Sequence, residues 1–131
     1  MRRVVVTGMG MVSSIGNNVA ENLVSLKEAR PGISHAQDYK KYGFRSQVHG
    51  EPDLDPFEVL GRRTTRFMAK GSAWNYVAIQ EAIANAGLEE KDYRGNSRCG
   101  IVMGSGGPST KAVVEAAGTT IERGPKRIGP T

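Results

Sequence analysis

The same short pattern occurs twice in this chain: an apolar run, a glycine-rich turn, then a helix-forming stretch. The first instance is Arg2-Arg3-Val4-Val5-Val6-Thr7, which leads into Gly8-Met9-Gly10-Met11-Val12-Ser13-Ser14-Ile15-Gly16. The second is Arg98-Cys99-Gly100-Ile101-Val102-Met103, which leads into Gly104-Ser105-Gly106-Gly107-Pro108-Ser109. Short, continuous apolar runs bounded by glycine read as strands buried on both faces, the habit of a parallel sheet. Two such strand–glycine–helix units place the chain in the α/β class.

Helices are expected after each glycine turn. Asn17 or Asn18 stands where an N-cap belongs, ahead of a helix from Val19 to about Ala29 with Val19, Leu23 and Leu26 on its packed face. Ser109 is placed to cap a second, carrying Val113, Val114 and Ala117. Between Gly61 and Gly87 a long helical pattern (Phe67, Met68, Trp74, Val77, Ala78, Ile79, Ala82, Ile83, Ala86) predicts two helices broken near Gly71, with Gly87 as the residue after the last turn. Pro31 to Pro56 reads as mostly loop, with one weak peripheral strand over Phe44 to His49.

Composition narrows the function classes. At 131 residues, 38% hydrophobic and 24% charged, the chain is expected to fold as a globular domain rather than to be disordered. Its apolar runs fall far short of the roughly 20 residues of a membrane span, and its polar Thr7 and Gly8 interrupt any signal peptide, so a cytoplasmic location is expected. One cysteine and two histidines provide neither a disulfide nor a zinc ligand set. Eighteen Lys and Arg against thirteen Asp and Glu, a formal charge of +5, favour an acidic partner.

Four constellations bear on chemistry. Gly8-x-Gly10-x-x-Ser13 lies where a dinucleotide fingerprint would, but it has no third glycine and no acidic strand end some 20 residues on; a tight turn is the better reading. Cys99 opens an apolar strand rather than a helix, so it is expected to be a small core residue and not a nucleophile. His35 and His49 are expected to be solvated loop residues. Arg62, Arg63, Arg66 and Lys70 recur at helical spacing and form the best candidate docking patch, with Arg123, Lys126 and Arg127 as a second cluster. Nucleic acid is disfavoured, since only Phe67 interleaves with the first cluster and no groove-reading motif accompanies it.

Several stretches together resemble one family. They are Arg3-Val-Val-Val-Thr-Gly-Met-Gly-Met-Val-Ser-Ser-Ile-Gly-Asn17, Arg62-Arg-Thr-Thr-Arg-Phe-Met68, Glu81-Ala-Ile-Ala-Asn-Ala-Gly-Leu88, Gly100-Ile-Val-Met-Gly-Ser-Gly-Gly107 and Arg123-Gly-Pro125. The chain is similar to the amino-terminal segment of bacterial β-ketoacyl-acyl-carrier-protein synthases, the condensing enzymes of fatty acid elongation. Ser13 to Gly16 and Gly104 to Gly107 look more like the type I enzyme than type II. The resemblance implies a thiolase-like α-β-α-β-α fold, of which residues 1–131 would be the first part of the amino-terminal half, and a homodimer.

It further implies a decarboxylative Claisen condensation between an acyl-enzyme thioester and malonyl-loaded carrier protein. No cofactor is implied, and the cysteine and histidines that run the reaction would lie beyond Thr131, leaving this segment inactive alone. Arg62, Arg63, Arg66, Arg123 and Lys126 match the basic surface that receives acyl carrier protein. Arg63 stands where a lysine is common, which keeps the charge but changes its hydrogen-bond geometry. Gly104, Ser105, Gly106 and Gly107 match the segment beside the acyl pocket at the dimer interface. Pro108 departs from a frequent glycine there. A nucleotide-binding module using Gly8 to Ser13, or a basic protein-interaction module, are the alternatives.

Overall fold

The computed structural model describes residues 2–129. Its elements, in order, are α1 (Val19–Lys27), β1 (Ser34–His35), α2 (Gln37–Lys41), β2 (Val48–His49), α3 (Pro56–Thr65), α4 (Lys70–Asn85), α5 (Glu90–Tyr93), α6 (Thr110–Arg123) and a 3-10 turn at Pro125–Arg127. They divide into two compact units. The first runs to Asp55 and includes Val77–Leu88; the second comprises Pro56–Tyr76 and the chain from Glu89 onward.

In the first unit the glycine loop lies against α4. A Cβ at Gly10 would sit 1.8 Å from the carbonyl oxygen of Ala78, and one at Gly8 would sit 2.3 Å from that of Ala82. Only glycine fits at that distance, and Ala78 and Ala82 on α4, with Ala86 just past its end, supply the matching low surface. Side chains of the same helix take up the loop's amides. The Met9 N–H donates to Asn85 Oδ1 at 3.0 Å and the Met11 N–H to Glu81 Oε2 at 2.9 Å.

Helix α1 begins at Asn18, whose side chain accepts the Glu21 N–H at 2.9 Å. Its buried residues are Asn22 and Ser25. Asn22 Nδ2 donates to the carbonyls of Gly16 and Asn18, its Oδ1 shares a hydrogen bond with Ser13 Oγ, and Ser25 Oγ donates to Ile15 O at 2.6 Å. All but the bond to Asn18, the cap of α1 itself, tie α1 to the Ser13–Gly16 turn. Of the expected packed face, Val19 is half-buried but Leu23 and Leu26 are exposed.

The region read as loop contains a small module. β1 and β2 pair antiparallel, Ser34 opposite His49 and His35 opposite Val48, with α2 between them. The expected strand over Phe44 to His49 shrinks to Val48–His49. Tyr39 centres the module, its ring 5.1 Å from Phe44 and 5.7 Å from His49, so His49 is a strand residue against an aromatic ring rather than a solvated loop histidine.

The apolar runs Arg2–Thr7 and Arg98–Met103 are not strands here. Val4 and Val6 are 90% and 82% exposed, and Ile101 and Val102 are 78% and 101% exposed. Among the described residues the sheet is the two-stranded β1–β2 pair alone. A strand needs neighbours to satisfy its N–H and C=O groups and to cover its faces, and neither run has one among the described residues. Cys99 is exposed for the same reason, which corrects its reading as a core residue.

In the second unit α3 starts at the fully buried Pro56, and α4 buries Ala73 completely. The helix break falls at Arg66–Ala69, and Gly71 lies in the first turn of α4 instead of interrupting it. Gly87, at φ 65°, follows α4 as expected. Ser109 caps α6, accepting the Ala112 N–H at 3.3 Å.

Candidate functional site

The basic residues singled out from sequence all fall in the second unit. Gly61 divides α3: its φ of 72° and ψ of 159° belong to a region open essentially to glycine, so the helix stops and restarts with a new direction at Arg62. Arg62 and Arg63 occupy the restarted turn. Thr65 Oγ1 closes it by donating to Gly61 O at 3.0 Å, and the Met68 N–H donates to Thr65 O. Arg66 follows in the connection to α4, its guanidinium 5.0 Å from the Phe67 ring centre. Lys70 opens α4 and lies 4.9 Å from the ring centre of Trp74. The four cations therefore do not share one helix face, as their spacing suggested; they follow two helix ends and a turn.

The second cluster is built in the same manner. α6 ends at Arg123, and Gly124, at φ 81° and ψ 160°, redirects the chain into the 3-10 turn that carries Lys126 and Arg127. Each basic cluster thus adjoins a glycine in the same rare conformation. Arg62, Arg63, Arg66, Arg123 and Lys126 are all exposed. None of the five is ion-paired among the described residues.

The elements bearing the two clusters wall one groove. About 440 Å³ in volume, it is lined from α3 by Phe57, from the α3–α4 connection by Met68, from α6 by Ala112 and Ala116, and from the last turn by Arg127 and Ile128. A second depression lies among Thr119, Arg123 and Arg127. The sequence showed the charges; it did not show the apolar groove, whose walls come from segments some 50 residues apart.

The remaining sequence candidates are placed differently. Gly104, Ser105, Gly106 and Gly107 are exposed, with open space around each glycine and a local hydrogen bond from Ser105 Oγ to Gly107 O. Cys99 Sγ lies 3.7 Å from the Asp92 carbonyl oxygen. Among the described residues no three of His, Cys, Asp and Glu converge to hold a metal ion, and no helix is long and apolar enough to cross a membrane. The glycine turn at Gly8 to Ser13 faces helix α4, and the amides of Met9 and Met11 are already donated to Asn85 and Glu81, so the conformation serves helix contact. A cavity of about 570 Å³ in the first unit is lined instead by Ser14, Ile15 and Gly16 with Glu21 and Asp53. Glu81 and Asn85 carry this arrangement, and their only sequence signal was their place within the Glu81–Leu88 match.

The family model of the β-ketoacyl synthase N-terminal domain matches residues 1–130. This chain belongs to the β-ketoacyl synthase family. It is 43% identical over 133 aligned residues to 3-oxoacyl-[acyl-carrier-protein] synthase 1 of Escherichia coli K12, an alignment that covers 99% of this chain and 32% of that protein. It is 42% identical to synthase 1 of Haemophilus influenzae, over 99% of the chain and 32% of the relative. Against synthase 2 of Vibrio harveyi the identity is 30%, over 98% of the chain and 31% of the relative. The chain therefore spans about a third of the length of these synthases. The stronger likeness to synthase 1 accords with the type I pattern at Ser13–Gly16 and Gly104–Gly107.

Proposed function

We propose that this chain serves as the amino-terminal part of a 3-oxoacyl-acyl-carrier-protein synthase of type I. Its own share of the reaction is to receive the carrier. One observation supports this above the rest: five exposed cations without carboxylate partners among the described residues, Arg62, Arg63, Arg66, Arg123 and Lys126, stand on elements of one unit. Unpaired surface cations carry no desolvation debt from an internal partner and attract an acidic protein at long range.

In the proposed reaction an acyl group moves from carrier protein to a cysteine thiolate as a thioester. Malonyl carrier then loses carbon dioxide, and the C2 electron pair so released attacks the thioester carbonyl. The cysteine leaves as thiolate and the product is a 3-oxoacyl carrier. Hydrogen-bond donors at the carbonyl oxygen stabilise the tetrahedral oxyanion. No residue of this chain matches the cysteine or the histidines of that chemistry, so the chain by itself is inactive in this reading.

In the whole synthase the runs at Val4–Val6 and Ile101–Met103 become covered strands of a thiolase-like layered fold. Gly104 to Gly107 border the acyl pocket at a homodimer interface, where absent side chains leave room for the chain, and Pro108 stiffens that border. The exposure of both runs and of all four loop residues supports the assignment, since each is a surface awaiting cover. The proposed setting is the cytoplasm.

Isothermal titration of the chain with an acidic acyl carrier protein tests the reading. Binding that disappears in the Arg62→Glu, Arg63→Glu, Arg66→Glu triple variant is expected. Equal binding by the variant, or displacement of the carrier by short duplex DNA, counts against it, as does condensation by the 131-residue chain alone.

A further inference from the structure

We infer that the turn from Lys40 to Ser46 binds the surface of an anionic lipid bilayer, lying in its headgroup layer without crossing it. Pairing of β1 with β2 holds the ends of residues 36–47 together, and α2 fills the loop so formed. The chain leaves α2 through hydrogen bonds from the Tyr42 N–H to Asp38 O, from the Gly43 N–H to Lys40 O and from the Phe44 N–H to Tyr39 O, with Gly43 at φ 72°. Tyr39, half-buried, anchors the turn by packing on Phe44 and His49. The turn is therefore preformed, and every residue from Lys40 to Ser46 is exposed.

Its chemistry joins cations to rings. Between residues 37 and 47, Lys40, Lys41 and Arg45 stand against one carboxylate, Asp38. None of the three cations is ion-paired among the described residues. Lys41 Nζ lies 5.6 Å from the centre of the Tyr42 ring, a contact that leaves its charge unneutralised. Tyr42 and Phe44 are nonetheless 68% and 57% exposed. Basic side chains attract anionic headgroups, and aromatic rings favour the depth where headgroups meet acyl chains. Either feature alone is ordinary on a surface, but Lys40 to Arg45 brings together both contributions that peripheral membrane binding requires.

Shape selects a bilayer over other acidic partners. A helix or a small anion is gripped by concave walls, and residues 37–47 line none of the hollows described above. One face of each ring is taken, Tyr42 by Lys41 and Phe44 by Tyr39, which leaves no open platform for stacked bases. A soft, flat array of anions needs neither a groove nor a platform. The carrier-docking cations lie in the other unit, so this inference and that reading fail separately.

The test is sedimentation of the chain with vesicles of phosphatidylcholine alone and of an equal mixture with phosphatidylglycerol. Binding to the anionic vesicles only is expected, weakened by salt, with amide hydrogen exchange slowed over residues 40–46. Lys40→Ser combined with Arg45→Ser should lower partitioning at least about tenfold, whereas the charge-matched Arg62→Ser and Arg63→Ser pair should lower it less than about threefold. Tyr42→Ser, an exposed change that spares the Tyr39 packing, should lower it about fivefold, and Tyr42→Trp should not lower it. Val102→Ser, in an exposed apolar run, should leave it unchanged. The proposal is overturned if the neutral vesicles bind equally, or if the two charge-matched pairs lose equally, which would show attraction by net charge alone. It is also overturned if Tyr42→Ser is without effect, if Val102→Ser abolishes binding, or if acyl carrier protein or oligothymidylate slows exchange over residues 40–46 and the vesicles do not.

Discussion

Glu81 accepts the backbone N–H of Val19 at 2.9 Å through Oε1, while Oε2 accepts that of Met11, also at 2.9 Å. One carboxylate on α4 thereby fixes both the glycine loop and the first turn of α1, over sequence separations of 62 and 70 residues. A negative charge at a helix N-terminus is favourable in its own right.

Replacing Glu81 with Ala should therefore loosen two segments at once. Charge-assisted hydrogen bonds contribute about 1.5–3 kcal/mol each when sheltered and less when exposed, so a total loss of roughly 2 kcal/mol is expected. Hydrogen exchange at the Met11 and Val19 amides should accelerate together in Glu81→Ala, and less in Glu81→Gln, which retains an acceptor. Acceleration at one amide only would show that the carboxylate does not couple them.

Gly61 and Gly124 share a backbone conformation that other residues occupy at a cost of about 1–3 kcal/mol. Gly61→Ala and Gly124→Ala should each destabilise the second unit by that amount and weaken carrier binding, because each glycine sets the direction of the adjoining cations. Gly71→Ala is the control: it is helical and its Cβ would meet open space, so it should be neutral or stabilising by up to about 1 kcal/mol. Urea melts of the three variants would separate these outcomes.

Arg63 is exposed and without a partner among the described residues, so its contribution to docking should be charge rather than geometry. Arg63→Lys should bind carrier within about threefold of the parent, whereas Arg63→Glu should raise Kd by about an order of magnitude. Raising salt past the point where the Debye length falls to about 3 Å should erase the difference between them. A persistent loss in Arg63→Lys would reveal a bidentate contact.

The choice between Asn17 and Asn18 as helix cap has a clean test. Asn18→Ala removes the acceptor of the Glu21 N–H and should cost about 1 kcal/mol. The Asn17 side-chain oxygen is buried without a hydrogen-bond partner among the described residues, so Asn17→Ala should cost less than about 0.5 kcal/mol. Thermal melts in which Asn17→Ala is the more damaging variant would reverse the assignment.

Val102 offers a change of sign between contexts. Fully exposed here, it should tolerate Lys, and Val102→Lys should lower aggregation and dye binding by the 131-residue chain. In a full-length synthase the same substitution should cost several kcal/mol, since it buries an unpaired charge in a covered strand. Equal tolerance in both would refute the proposed strand.

Much of the helical structure was legible because its signals are local. Asn18 and Ser109 lie within three residues of the amides they cap, and Gly87 stands two residues past the end of α4. The kink at Gly61 was not legible, as nothing in a single glycine distinguishes a helix interrupted there from one broken at Gly71. The burial of α1 was misread for a related reason: Leu23 and Leu26 mark the face an apolar neighbour would cover, whereas the neighbour present is the polar Ser13–Gly16 turn. Of the candidate site, the charges were readable and the groove was not.

The amino-acid sequence by itself determined the family, the glycine turns, the caps and the five cations, because each is written in residues close together along the chain. Tertiary structure alone decided that Gly8 and Gly10 meet the alanine stripe of α4, that Glu81 holds two distant segments, and that Phe57, Met68 and Ile128 enclose a groove with α6. It also decided that two strand-like runs stay uncovered. Backbone pairing in a sheet is non-local, so an apolar run becomes a strand only where another segment supplies the hydrogen bonds and the covering surface.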